Sequence, residues 1–422
     1  MKVLLISANT ERMNIVPLPL GPALVAAAVR RAGHEVTLLN LMFEGDTKSA
    51  IQDCIREFRP DVIGISVRNI DDQNMAEPTF LLPHVREVVT TCRNQCQAPI
   101  VLGGAGYSIF PESALRYLGA DMGIQGEGET AFPILLERLA KGASVCGVPG
   151  LYLPGQPPLE KTFAWNLDDL PLRESKLWIP SVSGSSQFWV PVQSRRGCPL
   201  DCSFCSTGII EGRPIRRHSP RTIAAWLEKL VSSGFTHFQF VDNTFNLPPS
   251  YAKELCREIL KRGLDVSLWC IVYPKWVDSE LVDLMAKVGC REVSLGFESG
   301  SEPVLRSINK RFKPDEVKTV SRMFADAGIF RRGFLLLGGP GETKESVEES
   351  LAFSDSLSLD ALKITVGLRI YPKTPLAATA LAHGMIQPED DLLWPRFYLA
   401  SRVAGWLPER IAAYKASRSW VM

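Results

Sequence analysis

Short apolar runs alternate with longer amphipathic stretches along residues 1–146. The short runs have the length of buried strands, and the longer stretches have the apolar spacing of helices. The predicted strands are Val3–Ser7, Val36–Asn40, Val62–Ser66, Ile100–Gly103 and Met122–Gln125, and the predicted helices are Gly21–Ala32, Thr47–Phe58, Leu81–Cys92, Ser113–Leu118 and Thr130–Leu139. This alternation predicts an α/β domain with a doubly wound, five-stranded parallel sheet of the flavodoxin or Rossmann type.

The same alternation returns over residues 187–375, where six strands can be counted. The predicted strands are Phe188–Gln193, His237–Val241, Val266–Ile271, Glu292–Phe297, Gly333–Leu337 and Leu362–Ile370, and the predicted helices are Thr222–Ser232, Ser250–Lys261, Ser279–Val288, Asp315–Ala327 and Glu345–Ser356. Six parallel strands are too few to close the eight-stranded α/β barrel, so this region is expected to form a partial (β/α)6 barrel with an open side.

Two stretches fall outside these repeats. Residues 147–186 are predicted to be a linker without regular secondary structure, because prolines recur along them. These prolines are Pro149, Pro154, Pro157, Pro158, Pro171 and Pro180, and the apolar residues expected to pack the linker onto the domains are Trp165, Leu167, Leu170 and Trp178. Residues 376–422 are rich in aromatic side chains and are predicted to form a short C-terminal cap.

The charge balance excludes some classes of partner. The chain has 47 Lys and Arg against 46 Asp and Glu, a net charge of +1, which gives no electrostatic reason to expect nucleic acid or an anionic membrane as partner. No apolar run approaches the roughly 20 residues of a spanning helix, and the first apolar run is shorter than a signal-peptide core. We therefore expect a cytoplasmic protein that binds neither nucleic acid nor membrane.

Three of the ten cysteines form a C-x3-C-x2-C motif, Cys198, Cys202 and Cys205, directly after the first predicted barrel strand. Active sites of α/β barrels lie at this carboxyl end of the strands. Three thiolates can ligate three irons of a [4Fe–4S] cluster and leave the fourth iron open for a ligand. A zinc knuckle with His218 as fourth ligand and three buried structural thiols are the alternatives. The remaining cysteines are interpreted as core or surface thiols: Cys54, Cys92, Cys96, Cys146, Cys256, Cys270 and Cys290.

Glycines follow two predicted strands of the first domain. Gly103-Gly104 and Gly126-Glu127-Gly128 remove side chains at the carboxyl edge of the sheet, where doubly wound domains bind ligands. A large flat ligand could approach the backbone there. Tight turns alone could equally require these glycines.

Together these motifs resemble the cobalamin-dependent class of radical S-adenosylmethionine (SAM) enzymes. Besides the cysteine motif, with Phe204 before its last cysteine, the resemblance rests on Pro19-Leu20-Gly21, Gly103-Gly104, Gly126–Thr130, Asp242-Asn243, Ser294–Gly300, Phe334–Thr343, Leu305, Lys310 and Ala327-Gly328. It implies an N-terminal cobalamin-binding domain and a radical SAM barrel that binds the [4Fe–4S] cluster and SAM.

The resemblance also implies the site residues. Cys198, Cys202 and Cys205 would ligate the cluster. SAM would contact Phe204, Asp242, Asn243, Glu298 and Gly338, and cobalamin would contact Ser66, Asn69, Gly103, Gly104, Gly126, Glu127 and Gly128. Glu298 could instead form a structural ion pair, and Asp242 could cap a helix. No catalytic acid or base is assigned from the sequence.

Many cobalamin domains carry an Asp-x-His-x-x-Gly motif whose histidine coordinates cobalt from below. None of the five histidines here lies in such a motif. They are His34, His84, His218, His237 and His383. Cobalamin is therefore expected to bind without a motif histidine beneath the cobalt.

The implied activity is C-methylation. An external electron donor of the ferredoxin or flavodoxin type would drive SAM cleavage to a 5′-deoxyadenosyl radical, and methylcobalamin would supply the methyl group to an unactivated carbon. The acceptor would be a protein, a peptide or a small molecule, with a glutamine residue of methyl-coenzyme M reductase as one candidate.

Three alternatives remain open from the sequence. The first is a cobalamin-dependent radical SAM cyclase or rearrangement enzyme that acts on a small molecule. The second is a methylthiotransferase, for which extra N-terminal cluster cysteines and a C-terminal RNA-binding β-domain are expected but not evident. The third is a non-catalytic cobalamin carrier or sensor.

Overall fold

The computed structural model describes residues 1–11, 16–172 and 188–422. Trp178, Pro180 and Gln187, which belong to the predicted linker and barrel start, lie outside this part of the chain. The described residues form two compact units. The first contains those of Met1–Asp72, Thr79–Gly184 and Ile209–Gly212, and the second contains those of Gln73–Pro78, Ser185–Gly208 and Arg213–Met422.

The first unit is built on one sheet with strand order β2-β1-β3-β4-β5-β6. Its strands are β1 (Lys2–Ser7), β2 (Glu35–Asn40), β3 (Val62–Ser66), β4 (Ile100–Gly103), β5 (Met122–Ile124) and β6 (Leu151–Tyr152). Strands β1 to β5 are parallel. The order 2-1-3-4-5 is that of the flavodoxin-like doubly wound fold, so the predicted fold of this domain is confirmed.

Strand β6 corrects the sequence analysis, which placed its residues in a linker without regular structure. Leu151 and Tyr152 are buried and pair antiparallel with β5. An unpaired edge strand exposes backbone hydrogen-bonding groups, and β6 covers that edge.

The helices of the first unit are α1 (Leu20–Arg31), α2 (Thr47–Phe58), α3 (Leu82–Gln95), α4 (Ala105–Ile109), α5 (Pro111–Leu118) and α6 (Gly128–Ala140), with two 3-10 turns, Leu41–Phe43 and Leu167–Asp169. Helix α2 begins where Asp46 accepts hydrogen bonds from the backbone of Lys48 and Ser49, a typical N-cap. Apolar side chains of α1 and α6, including Val29, Phe132 and Leu135, form one core with the strands.

The second unit contains six parallel strands in the order β14-β13-β12-β11-β10-β7. They are β7 (Val190–Val192), β10 (His237–Phe240), β11 (Ser267–Val272), β12 (Cys290–Glu298), β13 (Phe330–Leu337) and β14 (Ala361–Val366). Between β7 and β10, the short strands β8 (Arg195–Arg196) and β9 (Arg216–Arg217) pair antiparallel. Six parallel strands in chain order confirm the predicted partial barrel.

The helices of the second half of the chain lie between and after these strands. They are α7 (Thr207–Ile210), α8 (Pro220–Ser232), α9 (Pro249–Lys261), α10 (Ser279–Lys287), α11 (Glu302–Ser307), α12 (Pro314–Asp326), α13 (Lys344–Ser356), α14 (Pro375–Ala382), α15 (Ser401–Ala404) and α16 (Leu407–Ala416). Thr343 caps the N-terminus of α13, since its hydroxyl accepts a hydrogen bond from Ser346 N at 3.2 Å. Among the described residues, no helix has the length and apolar composition to span a bilayer.

The predicted strand Leu362–Ile370 is broken at Gly367. This glycine has φ +77°, and a Cβ there would lie 2.3 Å from the Met75 sulfur. The chain leaves the sheet and continues as β15 (Leu368–Arg369), which pairs antiparallel with β16 (Phe397–Tyr398). The C-terminal residues return to the open edge of β14, where Leu362 bonds the backbone of Trp420.

Candidate active site

Asp242, after β10, anchors the start of the cysteine loop. Its side chain is inaccessible to solvent, and it accepts hydrogen bonds from Ser194 N (2.7 Å), Ser194 Oγ (2.5 Å) and Arg195 N (3.1 Å). The sequence analysis expected it to contact SAM, with a helix cap as the alternative. Neither matches its geometry, because its oxygens are used inside the protein and the next helix begins only at Pro249. We therefore reassign Asp242 to positioning of the cysteine loop.

Arg195 completes this anchor and was missed from the sequence. The guanidinium lies 3.4 Å from Asp242 and donates to Leu247 O and Phe245 O, both at 2.6 Å. It also lies over the Tyr251 ring, 4.5 Å from its centroid. Burial raises the pKa of Asp242, while the Arg195 charge and the Ser194 donors oppose that shift. A pair of arginines just before the cysteine motif was the available signal, but it did not reveal that both are buried or that Arg195 is the one that lies beside Asp242.

The middle of the cysteine loop is held by two other segments. Ser203 N donates to Ile308 O at 3.1 Å, and its own carbonyl accepts from Leu376 N at 2.9 Å. Asp201 forms a second attachment, with its carbonyl bonded to Asn309 Nδ2 at 3.1 Å and its carboxylate to Arg311 at 2.8 Å. Because these bonds fix the backbone on both sides of Cys202, the loop conformation does not depend on the thiols themselves.

None of the three motif cysteines on this loop forms a disulfide. Cys198 and Cys202 are half-buried and Cys205 is exposed. A hydrogen-bond chain supports Cys205, whose thiol donates to Thr207 Oγ1 (3.3 Å), which in turn donates to Asn243 Oδ1 (3.2 Å). Asn243 therefore contacts the cysteine loop through Thr207, whereas its neighbour Asp242 faces the interior; the SAM contact expected of Asn243 stays a prediction.

The donor set of three cysteine thiols on one loop fits a [4Fe–4S] cluster, in which each thiolate binds a different iron. Among the described residues, no group of three or more Cys, His, Asp or Glu side chains is arranged around one ion position. His218, the alternative zinc ligand, is only 5% exposed and bonds Ser194 O through its backbone at 3.0 Å.

Glu298 lies at the carboxyl end of β12 and forms an ion pair with Lys310 at 3.0 Å. Its backbone has φ +62°, unusual for a residue with a side chain, and the strand register shifts between Gly296 and Glu298. Burial disfavours the charged form of Lys310, but Glu298 and other negative neighbours outweigh it and raise the pKa of Lys310. The alternative for Glu298, a structural ion pair, is therefore present, and the SAM contact expected of Glu298 stays a prediction.

Gly338 is explained by packing within the second unit. It has φ +90°, and a Cβ there would lie 2.4 Å from the Leu399 side chain. Its carbonyl accepts from Ala400 N at 2.8 Å, and its N–H donates to the buried Glu342 carboxylate at 3.2 Å. The close approach of the C-terminal segment is therefore sufficient to explain this glycine, and the SAM contact expected of Gly338 stays a prediction.

The predicted cobalamin glycines also divide into two groups. A Cβ on Gly104, which has φ +100°, would lie 2.5 Å from Val67 O, and one on Gly128 would lie 2.9 Å from Val25. Both glycines thus allow contacts of the chain with itself. At Gly103 the nearest atom to a Cβ would be 4.0 Å away, so this position retains the open space that the sequence predicted.

The linker that follows the first domain covers the loop at Gly126. Gly126 has φ +94°, and the Lys161 side chain lies 3.4 Å from where its Cβ would be. Glu127 is buried and accepts from Ala164 N at 2.8 Å. Glu127 therefore holds the backbone at Ala164, and the cobalamin contacts expected of Gly126 and Glu127 stay predictions.

A cavity of about 270 Å³ lies at the carboxyl ends of β1 and β3. Its polar lining residues are Asn9, Thr10, Glu11, Ser66, Arg68, Asn69, Thr79 and His84. The predicted residues Ser66 and Asn69 thus share one cavity with Arg68 and His84, which the sequence analysis did not assign. The His84 Nε2 atom is buried without a hydrogen-bond partner. This cavity can take a polar part of a large ligand, and the donor set fits cobalamin.

Both halves of the chain match known families. Residues 192–354 match the Radical SAM superfamily, and residues 10–136 match the B12 binding domain. An uncharacterized methyltransferase of Pyrococcus horikoshii is 28% identical over 404 residues, which cover 92% of this chain and 84% of that protein. The two domains together make this chain a cobalamin-dependent radical SAM enzyme of the methyltransferase type. Tryptophan 2-C-methyltransferase of Streptomyces laurentii is 26% identical over 446 residues, which cover 89% of this methyltransferase and 74% of the relative.

The fold of this methyltransferase is also that of a solved relative. The radical SAM methyltransferase TsrM of Kitasatospora setae, determined with cobalamin and a [4Fe–4S] cluster bound, superposes with a TM-score of 0.90 at 23% identity. The alignment covers 100% of this chain and 92% of that chain. The cofactors of the family are the [4Fe–4S] cluster, SAM and cobalamin, as predicted. The two domains and the methyltransferase relatives favour an enzyme over the alternative of a non-catalytic cobalamin carrier or sensor.

Proposed function

We propose that this enzyme transfers a methyl group from methylcobalamin to a carbon atom of a small organic acceptor. The observation that carries the proposal is the cysteine loop, which is held at Asp242, Ile308 and Leu376 in a chain that also has a cobalamin-binding domain. When bound, the [4Fe–4S] cluster supplies the electron that cleaves SAM to a 5′-deoxyadenosyl radical, and methylcobalamin supplies the methyl group.

Under this proposal the protein positions the reactants. Cys198, Cys202 and Cys205 hold the cluster, and Asn243 orients Cys205 through the Thr207 hydroxyl. Lys310 bonds one carboxylate oxygen of Glu298, and the other oxygen can accept a hydrogen bond from the SAM ammonium. In the first unit, Ser66, Asn69 and Gly103 bind cobalamin. An external ferredoxin or flavodoxin supplies the electron.

An aromatic surface supports a small acceptor with a flat, apolar part. Trp276 is 42% exposed and stacks on Tyr273, with ring centroids 5.7 Å apart and planes inclined by 21°. Its backbone has φ +58°, and such strained positions are concentrated at functional sites. Stacking on an exposed ring suits a planar substrate. The relative named for tryptophan methylation supports this class of acceptor, while no relative described above supports a glutamine residue of methyl-coenzyme M reductase.

The test is anaerobic incubation of the reconstituted enzyme with methyl-labelled SAM, a reductant and a panel of acceptors. The panel contains tryptophan, other indoles and aromatic acids, and glutamine-containing peptides. We expect label in a small aromatic product only when cobalamin is present, and loss of that product in Cys205→Ser. Cys146→Ser is the matched control, because Cys146 is an exposed thiol outside the cysteine loop.

The panel also separates the alternatives. Label in a peptide glutamine would replace the small-molecule proposal with the protein substrate. Deoxyadenosine formed together with an unmethylated, rearranged acceptor would refute methyl transfer and favour a cyclase or rearrangement enzyme.

A further inference from the structure

Lys310 is an unusual buried cation near the cysteine loop. Its side chain is 7% exposed, and its Nζ lies 3.0 Å from Glu298 Oε1. Three aromatic rings surround the ammonium, those of Phe204 at 5.5 Å, Tyr273 at 5.6 Å and Phe312 at 5.9 Å from their centroids. Aromatic ring faces attract cations, so rings and carboxylate together hold one ammonium in place.

The segment that carries Lys310 also holds the cysteine loop. Ile308 O accepts from Ser203 N at 3.1 Å, and Asn309 Nδ2 donates to Asp201 O at 3.1 Å. Both contacts lie next to Cys202. The backbone of Lys310 is fixed as well, because its N–H donates to Leu305 O at 2.9 Å. The lysine and the cysteine are therefore parts of one hydrogen-bonded arrangement.

An ion pair that only stabilised the fold would not need to be buried at this position. Burying an ammonium is unfavourable. The carboxylate that pairs with this one belongs to Glu298, whose backbone is in the left-handed region and lies where the strand register shifts, so the pair also requires a strained backbone. The Lys310 ammonium lies 5.5 Å from the centroid of the Phe204 ring, and Phe204 stands between Cys202 and Cys205 in the motif. The cation therefore lies close to the cysteine loop.

We propose that Lys310 is a positioning residue that holds a fixed positive charge and the Phe204 ring beside Cys202, and thereby raises the reduction potential of the [4Fe–4S] cluster. The inference rests on the proposed function, in which the three cysteines hold that cluster. The oxidised cluster accepts one electron from a low-potential external donor, dithionite in the experiment below. Because reduction adds one negative charge, a nearby cation favours the reduced form.

The test is a mediated redox titration of the reconstituted full-length enzyme, followed by electron paramagnetic resonance of the reduced cluster. Lys310→Met is expected to make reduction at least tenfold less favourable, a fall of about 59 mV or more for a one-electron couple. Glu298→Gln removes the opposing charge and is expected to raise the potential. Lys310→Arg keeps the charge and is expected to stay closer to the wild type than Lys310→Met does.

Lys253→Met is the matched control. Lys253 is a largely buried lysine in helix α9 that pairs with Asp278 and Glu280. Its removal deletes a lysine ion pair from the same unit, and the potential is expected to stay at the wild-type value. Circular dichroism and iron content for each variant show whether the protein folds and carries the cluster.

The outcomes separate the inference from the proposed function. If the wild-type protein assembles no [4Fe–4S] cluster, the proposed function fails. If the cluster assembles but the Lys310 and Glu298 variants shift its potential in the same direction, or not at all, the inference alone is overturned. If Lys310→Met does not assemble a cluster, the Glu298→Gln shift decides, and its absence overturns the inference.

Discussion

Substitution of Asp242 by asparagine tests whether this residue anchors the cysteine loop or contacts SAM. The wild-type carboxylate accepts three hydrogen bonds and lies 3.4 Å from the Arg195 guanidinium, with both side chains buried. Removing one charge of a buried pair typically costs about 3–5 kcal/mol. Asparagine keeps one acceptor oxygen, so we expect the free energy of unfolding to fall by about 3 kcal/mol, near the lower end of this range. That is a large fraction of the net stability of a typical domain, about 5–15 kcal/mol.

The assay combines stability with cofactor content. Urea unfolding followed by circular dichroism should show an earlier transition for Asp242→Asn, and iron and sulfide analysis after anaerobic reconstitution should show less cluster per chain. SAM affinity, measured by calorimetry and expressed per cluster, should stay at the wild-type value. Ser354→Ala is the matched control, because the buried Ser354 hydroxyl donates to Ser350 O at 2.8 Å outside the cysteine loop; we expect it to lower stability by about 1 kcal/mol without a change in cluster content.

One result would refute the reasoning directly. If Asp242→Asn retained wild-type stability and cluster content while SAM bound at least tenfold more weakly, Asp242 would be a SAM ligand. The resemblance to the family would then have been the better guide than the contacts of the carboxylate.

Three further predictions follow from strained or paired residues. Gly338→Val would place a side chain against Leu399, so we expect a loss of about 1–3 kcal/mol in thermal or urea unfolding with unchanged SAM affinity. Gly104→Ala would bring a Cβ 2.5 Å from the Val67 carbonyl oxygen. We therefore expect lower stability of the first unit in an unfolding experiment and lower affinity for cobalamin in a titration. Burial opposes ionisation of Asp355, but bonds from Arg418 and a tyrosine outweigh it and lower its pKa. A lowered folded-state pKa means that the stabilisation is present above the unfolded value, about 3.9, and is lost as pH falls towards the folded value. Limited proteolysis should therefore release the C-terminal segment on acidification in the wild type, whereas Asp355→Asn should be cleaved even at neutral pH.

Much of the fold could be predicted because its signals are local. Parallel strands buried on both faces appear as short apolar runs, and the helices between them keep their own spacing, so ten of the eleven parallel strands were predicted as single elements that match the structure closely. The exception, β14, ends at Gly367 because the Met75 side chain fills the space that a Cβ would need. Strand β6 was missed because its two residues form a strand only by pairing with the unpaired edge of β5, and the sequence does not show that edge.

The cysteine loop was visible in the sequence because the spacing of three thiols is itself the chemical signal. The side chains that hold the loop carry no such signal. Asp242 and Asn243 are adjacent polar residues at the end of one strand, yet one faces inward to Arg195 and the other faces Thr207. Alternation along the chain predicts opposite faces for neighbours, but it does not predict which face holds a buried arginine.

Glycine was the least reliable guide, because an absent side chain can serve either a ligand or the protein itself. Gly104, Gly128 and Gly338 each leave room for an atom of the same chain, whereas Gly103 faces open space. The two cases differ only in which residues folding brings close to the glycine, and the sequence alone does not identify those residues. For a glycine predicted to bind a cofactor, the first question is therefore which atoms a Cβ would contact. Where these atoms belong to the chain itself, substitution should lower stability. Where a Cβ would meet open space, substitution should lower cofactor affinity at unchanged stability.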